Sequence, residues 1–159
     1  MIIQRLLNRS IILLLLNTAS SPTTRYVAKI IEINSADTSA LISLPGIGSK
    51  LALRIINFRD KLGGFASVDQ VGETYGLPDS TFQKVKSRLQ CNSNSVRKFN
   101  INTVDINTLR THPYIKWNIA NAIVNYRQQH GNYKSLDDLK KIVIVNTEAF
   151  NKIAPYLTL

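Results

Sequence analysis

Apolar residues recur with a helical period along most of the chain. The segment 49–62 is the clearest case, because its apolar residues lie three and four positions apart and form one wide face: Leu51, Ala52, Ile55, Ile56, Phe58 and Leu62. Shorter helices are predicted over 36–43 and 79–89. Ser67, followed three residues later by Gln70, predicts a capping box that begins another helix. No stretch shows the sustained alternation typical of a strand. The pattern therefore predicts an all-α fold.

Glycine and proline interrupt these helices at two places in the first half of the chain. The two interruptions are Leu44-Pro45-Gly46-Ile47-Gly48 and Gly76-Leu77-Pro78. Both residue types break helices, and glycine adopts a positive φ at little cost. We expect the two glycines around Ile47 to turn the backbone sharply while Ile47 anchors the turn in the core.

The chain contains an internal repeat. Residues 33–91 align without a gap on residues 101–159, which lie 68 positions later. Identical residues at matching positions include Leu41 and Leu109, Pro45 and Pro113, Ala52 and Ala120, Ile55 and Ile123, and Arg59 and Arg127. A match of this density is typical of a duplicated structural unit. We therefore predict an N-terminal tail (1–30), a first small domain (31–91), a linker (92–98) and a second small domain (99–159).

The composition limits the chemistry that this chain can perform. Hydrophobic residues make up 44% of the 159 residues, which is typical of globular domains. A net charge of +10 indicates a polyanionic partner, either nucleic acid or an acidic membrane surface. One cysteine, Cys91, and two histidines, His112 and His130, exclude a disulfide framework and a structural zinc site. We expect no metal, no cofactor and no small-molecule substrate.

The N-terminal segment is open to several interpretations. The apolar run at 11–16 is too short to span a bilayer. With Arg5 and Arg9 before it, the run resembles a poor signal peptide, and a disordered or mis-started N-terminus is the alternative. A third interpretation places residues 1–16 on an anionic membrane. The protein would be periplasmic or membrane-associated if residues 1–19 act as a signal or anchor, and cytoplasmic otherwise.

The first interruption predicts an anion site. It opens directly into the helix that begins near Ser49, so free backbone N–H groups and the positive end of the helix dipole face outward together. Lys50 and Arg54 follow and add positive charge beside a bound phosphate. A site of this kind holds phosphate without reading a base, so we expect DNA affinity with little sequence preference.

The run from Ile33 through the Leu-Pro-Gly-Ile-Gly turn to Gly63, Phe65 and Ser67 resembles the helix-hairpin-helix domain of ComEA-type proteins, the DNA receptors of bacterial natural competence. The resemblance covers residues 31–91 closely and 99–159 more loosely. It implies two tandem domains of the SAM-like type with orthogonal helices. It also implies two hairpins in each domain, related by a pseudo-twofold axis, which grip the phosphates of double-stranded DNA across the minor groove.

Carried over by position, the resemblance assigns DNA contacts to both hairpins of the first domain. Pro78 replaces the second glycine of the second hairpin and removes one N–H donor. The assigned residues are Leu44, Pro45, Gly46, Ile47, Gly48, Ser49, Lys50, Arg54, Gly76 and Leu77.

The second domain departs from the pattern. Tyr114 and Lys116 stand where the first hairpin has its glycines, and we expect the tyrosine to crowd an approaching phosphate. Lys116 and Asn118 are the assigned DNA contacts there. The alternative is that this domain only packs against the first or binds a protein. The second hairpin position, around Asn146, has lost the pattern completely.

Two other functions compete with DNA binding by a non-enzymatic protein. One is a scaffold in which the hairpins serve packing only. The other is a base-excision glycosylase, because Asp69 follows a Leu-Pro-Gly-x-Gly turn at the spacing of the catalytic aspartate. Asp69 begins a predicted helix, as does its equivalent Asp137, and a domain of this size has little room for a flipped base, so we expect no catalytic residue.

Several single residues have structural interpretations. Arg59 and Arg127 recur near the end of the long helix and are expected to bond its last carbonyls. Trp117 is expected in the core. His112 and His130 are expected on the surface.

Overall fold

The computed structural model describes residues 29–159. The predicted tail, residues 1–30, therefore lies outside the described residues apart from its last two positions, and so do the signal and membrane-surface interpretations. Within residues 29–159, no helix is long and apolar enough to cross a membrane.

The first unit runs from one short strand to another and encloses three α-helices and a 3₁₀ helix. In chain order its elements are β1 (Ile31–Glu32), α1 (Thr38–Ile42), α2 (Ser49–Leu62), the 3₁₀ helix Val68–Glu73, α3 (Asp79–Lys86) and β2 (Leu89–Gln90). β1 and β2 pair in parallel, with Ile31 opposite Leu89, and close the unit. A short 3₁₀ turn, Ser93–Ser95, leads to the second unit.

The second unit repeats this order, with one additional 3₁₀ helix before its last strand. Its elements are β3 (Phe99–Asn100), α4 (Ile106–Leu109), α5 (Trp117–His130), the 3₁₀ helix Leu136–Lys141, α6 (Thr147–Ile153), the 3₁₀ helix Ala154–Tyr156 and β4 (Leu157–Thr158). β3 and β4 pair in parallel, with Phe99 opposite Leu157. The predicted fold, two tandem helical units, is confirmed.

Local sequence signals explain where the helices begin and end. Asp37 caps α1 by accepting a hydrogen bond from the Ala40 N–H at 2.7 Å. Gly63 ends α2 in the left-handed conformation at φ 81°. The capping box of Ser67 and Gln70 is present, but the helix that it starts is 3₁₀ rather than α.

The last helix of the first unit is shorter than predicted. It ends at Lys86, because Leu89 and Gln90 leave the helix to pair with β1. The Ile31 N–H donates to the Arg88 carbonyl at 2.8 Å, and the Ile33 N–H donates to the Gln90 carbonyl at 2.9 Å. Two residues of strand are too short to leave an alternating pattern in the sequence.

Each unit has its own core, and the two cores use equivalent positions. Leu41, Ala52, Ile55 and Phe65 are buried in the first core; their equivalents Leu109, Ala120, Ile123 and Tyr133 are buried in the second. Burying each large side chain stabilises the fold by about 1.5–3 kcal/mol. Residues that match in the internal sequence repeat thus form the core in both units.

Tyr156 joins the two units. It comes from the second unit, yet it is fully buried in the core cluster of the first. Its hydroxyl lies 3.1 Å from both the Gly64 carbonyl oxygen and Gln70 Oε1, and these two acceptors share its proton. A second link is the Tyr114 hydroxyl, which donates to Glu73 Oε2 at 3.0 Å. Within residues 29–159, these contacts fix one unit against the other.

His112 is part of this joint, so its predicted surface position is wrong. The side chain is only 2% exposed, and its ring centroid lies 4.3 Å from that of Tyr156. Burial lowers the pKa of His112 from 6.5 to about 4, because the apolar surroundings disfavour the charged imidazolium. His130 is exposed, as expected.

We predict that His112 makes stability depend on pH. Its pKa is lower in the folded protein than in the unfolded chain, so the free energy of unfolding should fall by about 1–3 kcal/mol as pH drops from 6.5 towards 4. Urea denaturation at a series of pH values measures this. His112→Phe should flatten the curve, whereas His130→Asn should leave it unchanged. Equal curves for the wild type and His112→Phe would contradict the prediction.

Candidate nucleic-acid interface

Four turns between helices are the candidate contacts. We call them hairpin A (residues 44–50), hairpin B (residues 74–78), hairpin C (residues 112–118) and hairpin D (residues 142–146). Each precedes the N-terminus of a helix: α2, α3, α5 and α6 respectively.

Two buried side chains anchor hairpin A in the core, and most of its other residues are exposed to solvent. Leu44 and Ile47 are buried at 3% and 4% exposure, and the Ile47 N–H donates to the Leu44 carbonyl at 3.1 Å. Gly46 takes a positive φ of 83°, which lets the chain turn between these two anchors. The predicted anchoring role of Ile47 is confirmed, and Pro45, Gly48, Ser49 and Lys50 are exposed around it. The assignment of DNA contacts to this hairpin stays a prediction.

The two glycines of hairpin A have different roles. Only Gly46 needs a positive φ; Gly48 lies at φ −90° and ψ 175°, an extended conformation that any residue adopts. A Cβ on Gly46 would lie 2.9 Å from Thr81 Cγ2, whereas a Cβ on Gly48 would meet nothing within 4 Å. Gly46 is therefore required by the fold. Gly48 is not, and its missing side chain leaves the helix end open.

The N-terminus of α2 has no cap of its own. Gly48 is the N-cap residue, and no side chain accepts from the first turn. The first N–H with an intrahelical acceptor is that of Ala52, which donates to the Gly48 carbonyl at 2.9 Å. The N–H groups of Ser49, Lys50 and Leu51 are thus left for an acceptor outside the helix. Together with the helix dipole and the Lys50 charge, they favour an anion.

Hairpins A and B pack reciprocally. Gly46 of hairpin A lies against Thr81 at the start of α3, and Gly76 of hairpin B lies against Arg54 at the start of α2. Each turn thus contacts the helix that follows the other turn. This exchange supports the pseudo-twofold arrangement that the resemblance implies.

Arg54, predicted to add charge beside a phosphate at hairpin A, contacts hairpin B, and its DNA contact stays a prediction. Its Nη1 donates to the Tyr75 carbonyl at 3.4 Å, and its guanidinium carbon lies 5.2 Å from the centre of the Tyr75 ring. The reason is the reciprocal packing, which turns this face of α2 towards residues 74–78.

Hairpin B is a weaker anion site than hairpin A. Pro78 is the N-cap of α3 and has no N–H, and Asp79 places a carboxylate in the first turn. That carboxylate occupies the favourable end of the dipole and repels a phosphate. Gly76 is exposed, whereas Leu77 is buried at 8% exposure and so anchors the turn as Ile47 does.

Hairpin C has a different backbone from hairpin A. Within residues 29–159, no residue other than glycine has a positive φ, so Tyr114 does not reproduce the conformation of Gly46. The Tyr114 side chain points to Glu73 of the first unit. The expectation that it crowds an approaching phosphate is therefore wrong. Lys116 and Asn118 are exposed at the start of α5, whose N-cap residue Lys116 provides no side-chain cap.

Hairpin D is closed to an external anion. The Asn146 side chain caps α6 by accepting from the Ala149 N–H at 2.8 Å, and Glu148 lies in the first turn. The N–H group that a phosphate would use is occupied. Hairpins A and C are thus the two turns that combine an uncapped helix with an absence of acid in its first turn.

Three single-residue expectations have mixed outcomes. Arg59 has a structural role, but its Nη1 bonds the Ala36 carbonyl at 2.7 Å instead of the last carbonyls of α2. Arg127 bonds the Ile101 carbonyl at 2.9 Å in the same way. Trp117 is 58% exposed and not in the core, because it lies at the outer start of α5, with Arg110 5.9 Å from its ring centre.

Comparison with known proteins matches two segments of this chain to one family. The helix-hairpin-helix motif matches residues 27–90 and 94–158. A protein from Danio rerio named endonuclease/exonuclease/phosphatase family domain-containing protein 1 is 29% identical over an alignment of 141 residues, and the match covers 77% of this chain and 26% of that protein. The protein of the same name from Xenopus laevis is 27% identical over 144 residues, with the same coverage.

A bacterial protein is similar to part of the chain. An uncharacterized protein from Haemophilus influenzae is 37% identical over 60 residues, which is 37% of this chain and 54% of that protein. The chain spans about a quarter of the length of the animal relatives. No solved structure matches the chain significantly.

The different roles of the two glycines predict opposite effects on stability. Gly46→Ala should lower the free energy of unfolding by about 1–2 kcal/mol, because alanine is strained at positive φ. Gly48→Ser should keep it or raise it by about a few tenths of a kcal/mol, because serine caps α2. Chemical denaturation of both variants measures this. Equal losses at the two positions would contradict the division of roles.

Proposed function

We propose that this chain, which belongs to the helix-hairpin-helix family, binds double-stranded DNA without sequence preference by holding its phosphate backbone. Helix-hairpin-helix motifs support a nucleic-acid partner in general. From the geometry of the turn we infer that the contact is to phosphate and that hairpin A supplies most of it.

The open N-terminus of α2 carries the proposal. Three N–H groups face outward beside Lys50, and Gly48 has no side chain to keep a phosphate at a distance. Hydrogen bonds to a charged acceptor are the stronger kind. Backbone N–H groups read no base, so the contact gives affinity without sequence specificity.

Net charge supports a polyanionic partner. The chain carries +10, and both hairpins with open helix ends have a lysine at the contact position, Lys50 and Lys116. Residues 33–91 hold seven basic and five acidic side chains, so the first unit itself is only mildly basic. We therefore expect binding of moderate strength that depends on salt.

We further propose that the chain is not itself an enzyme. Asp69, the residue at the glycosylase spacing, lies in the first turn of its 3₁₀ helix and forms an ion pair with Lys86 at 2.5 Å. Its side chain is 70% exposed, which does not suit a catalytic carboxylate in a base pocket. These contacts support a structural role for Asp69.

Two biological settings fit such a module. The resemblance to ComEA-type proteins supports DNA uptake, with the chain as a receptor. The animal relatives support a second candidate, because their similar segment is about a quarter of proteins whose name includes endonuclease. In that setting the module holds DNA for a separate cleaving domain.

We predict that an acid at position 48 weakens binding strongly while preserving the fold. Gly48→Asp places a carboxylate at the N-cap of α2, as Asp37 and Asp105 do for α1 and α4. The affinity for a random duplex of about 20 base pairs should fall by about 10- to 100-fold, because charge-assisted hydrogen bonds to phosphate are lost. Fluorescence anisotropy measures the affinity, and thermal denaturation should show an unchanged or higher stability.

Asn146→Asp is the matched control. It changes the charge by the same amount at a helix end that is already capped. It should weaken binding by no more than about threefold, because salt screens the field of the added charge. Equal losses for the two variants would show that net charge, and not the open N-terminus, holds the DNA. No binding by the wild-type chain at low salt would favour the scaffold alternative.

The salt dependence gives an independent prediction. If about 4–6 phosphates are neutralised, the logarithm of the binding constant should fall with the logarithm of salt concentration at a slope of about −4 to −5. Lys50→Gln should reduce this slope by about 1, whereas Lys84→Gln, an exposed lysine on α3, should not. A slope near zero for the wild type would exclude phosphate contacts.

A further inference from the structure

A cleft lies beside hairpin B, between α2 and the turn that carries Tyr75. Its volume is about 350 Å³. Four lining residues come from one face of α2, because they lie three and four positions apart, and two come from the opposite side: Arg54, Asn57, Phe58 and Lys61, with Glu73 and Tyr75. None of the sequence-based expectations assigned a role to this cleft.

Tyr75 presents one face of its ring to solvent. Its side chain is the most exposed aromatic in the described part of the chain, at 84%. The Arg54 guanidinium lies over the ring at 5.2 Å and also bonds the Tyr75 carbonyl, so it occupies one face and holds the turn. The large exposure of Tyr75 leaves the opposite face of its ring open to solvent.

The other walls of the cleft suit a nucleotide. Phe58 is half-buried and packs edge-on against Phe65 at 6.0 Å, which provides an apolar floor. Arg54 and Lys61 are exposed cations, and neither forms an ion pair within residues 29–159. The Asn57 side chain can donate to and accept from a base edge.

Glu73 is the one acid in the cleft, and its charge is largely compensated. Its carboxylate accepts from the Tyr114 hydroxyl at 3.0 Å and lies 3.5 Å from Lys152 Nζ. The cleft therefore keeps a positive balance, which suits a phosphate next to a stacked base.

We propose that this cleft binds one unpaired nucleotide, with its base stacked on the free face of Tyr75 and its phosphate beside Arg54 and Lys61. The inference rests on the proposed function, because hairpins A and B bring the DNA backbone to this side of the first unit. A base within a duplex is stacked on both faces, so only an unpaired base can enter. DNA with a gap or a single-stranded end is therefore the preferred substrate.

The second unit does not repeat the cleft. Val143 stands at the position of Tyr75 and is 97% exposed, and Ala122 stands at the position of Arg54. The second unit thus has an equivalent exposed turn, but that turn lacks the aromatic ring and the cation. Val143→Ala is accordingly a matched control for Tyr75→Ala.

The test compares the full chain on two DNAs of the same sequence, a continuous duplex and a duplex with a short single-stranded gap that carries 2-aminopurine. The wild type should bind the gapped DNA about 5- to 100-fold more tightly, which is the range for stacking one base on an aromatic side chain. Tyr75→Ala should lose this preference, whereas Tyr75→Phe and Val143→Ala should keep it. Binding should quench 2-aminopurine fluorescence in the wild type and not in Tyr75→Ala.

The outcomes separate this inference from the proposed function. Equal wild-type affinity for the two DNAs, or a gap preference that survives Tyr75→Ala, overturns the cleft assignment while duplex binding stands. Gap binding that depends on Tyr75 without duplex binding supports the cleft and overturns the duplex proposal. Absence of binding to either DNA overturns both. Because Tyr75 is exposed, Tyr75→Ala should unfold at the wild-type temperature.

Discussion

The first turn of a helix has N–H groups that no intrahelical carbonyl can reach. Whether this protein caps them with a side chain determines where its surface can bind an anion. At α1, α4 and α6 a side chain of the same chain accepts from the first turn. At α2 none does, and its N-cap residue is Gly48. At α5 the N-cap residue Lys116 provides no cap, and Asn118 Oδ1 accepts from the Ile119 N–H alone, at 3.0 Å. Glycine at an N-cap costs only about a few tenths of a kcal/mol relative to a capping side chain, so α2 can leave its first-turn N–H groups to water or to another external acceptor. The open helix ends are therefore where the structure favours an anion.

The joint between the units explains why hairpin C departs from hairpin A. Tyr114 occupies the position of Gly46, and its hydroxyl bonds Glu73 of the other unit. His112, two residues earlier, is buried against Tyr156. Residues that would form a phosphate-binding turn thus hold the two units together. The two related turns therefore differ: hairpin A is open to solvent on both sides of Ile47, whereas the first half of hairpin C is used in packing and its Lys116 and Asn118 remain exposed.

The sequence predicts the core better than it predicts the surface. Helix α2, its end at Gly63, the Ser67 capping box and the buried Ile47 follow from local rules that act within a few residues. The burial of His112 and the contact of Arg54 with hairpin B do not follow from local rules, because they depend on Tyr156 and Tyr75, which lie far along the chain. The short strands were missed for the same reason, since each pairs with a partner about 58 residues away.

The candidate nucleic-acid interface also depends on tertiary contacts that the sequence does not reveal. A glycine in a sequence does not say whether the fold needs its positive φ or only its missing side chain, and here Gly46 is the first case and Gly48 the second. The distinction requires knowing that Thr81 approaches one of them and nothing approaches the other. The Tyr75 cleft also forms from two segments that approach only because hairpins A and B pack reciprocally. A surface for DNA can thus be expected from composition and one turn motif, whereas the surface that selects among DNA structures depends on tertiary packing.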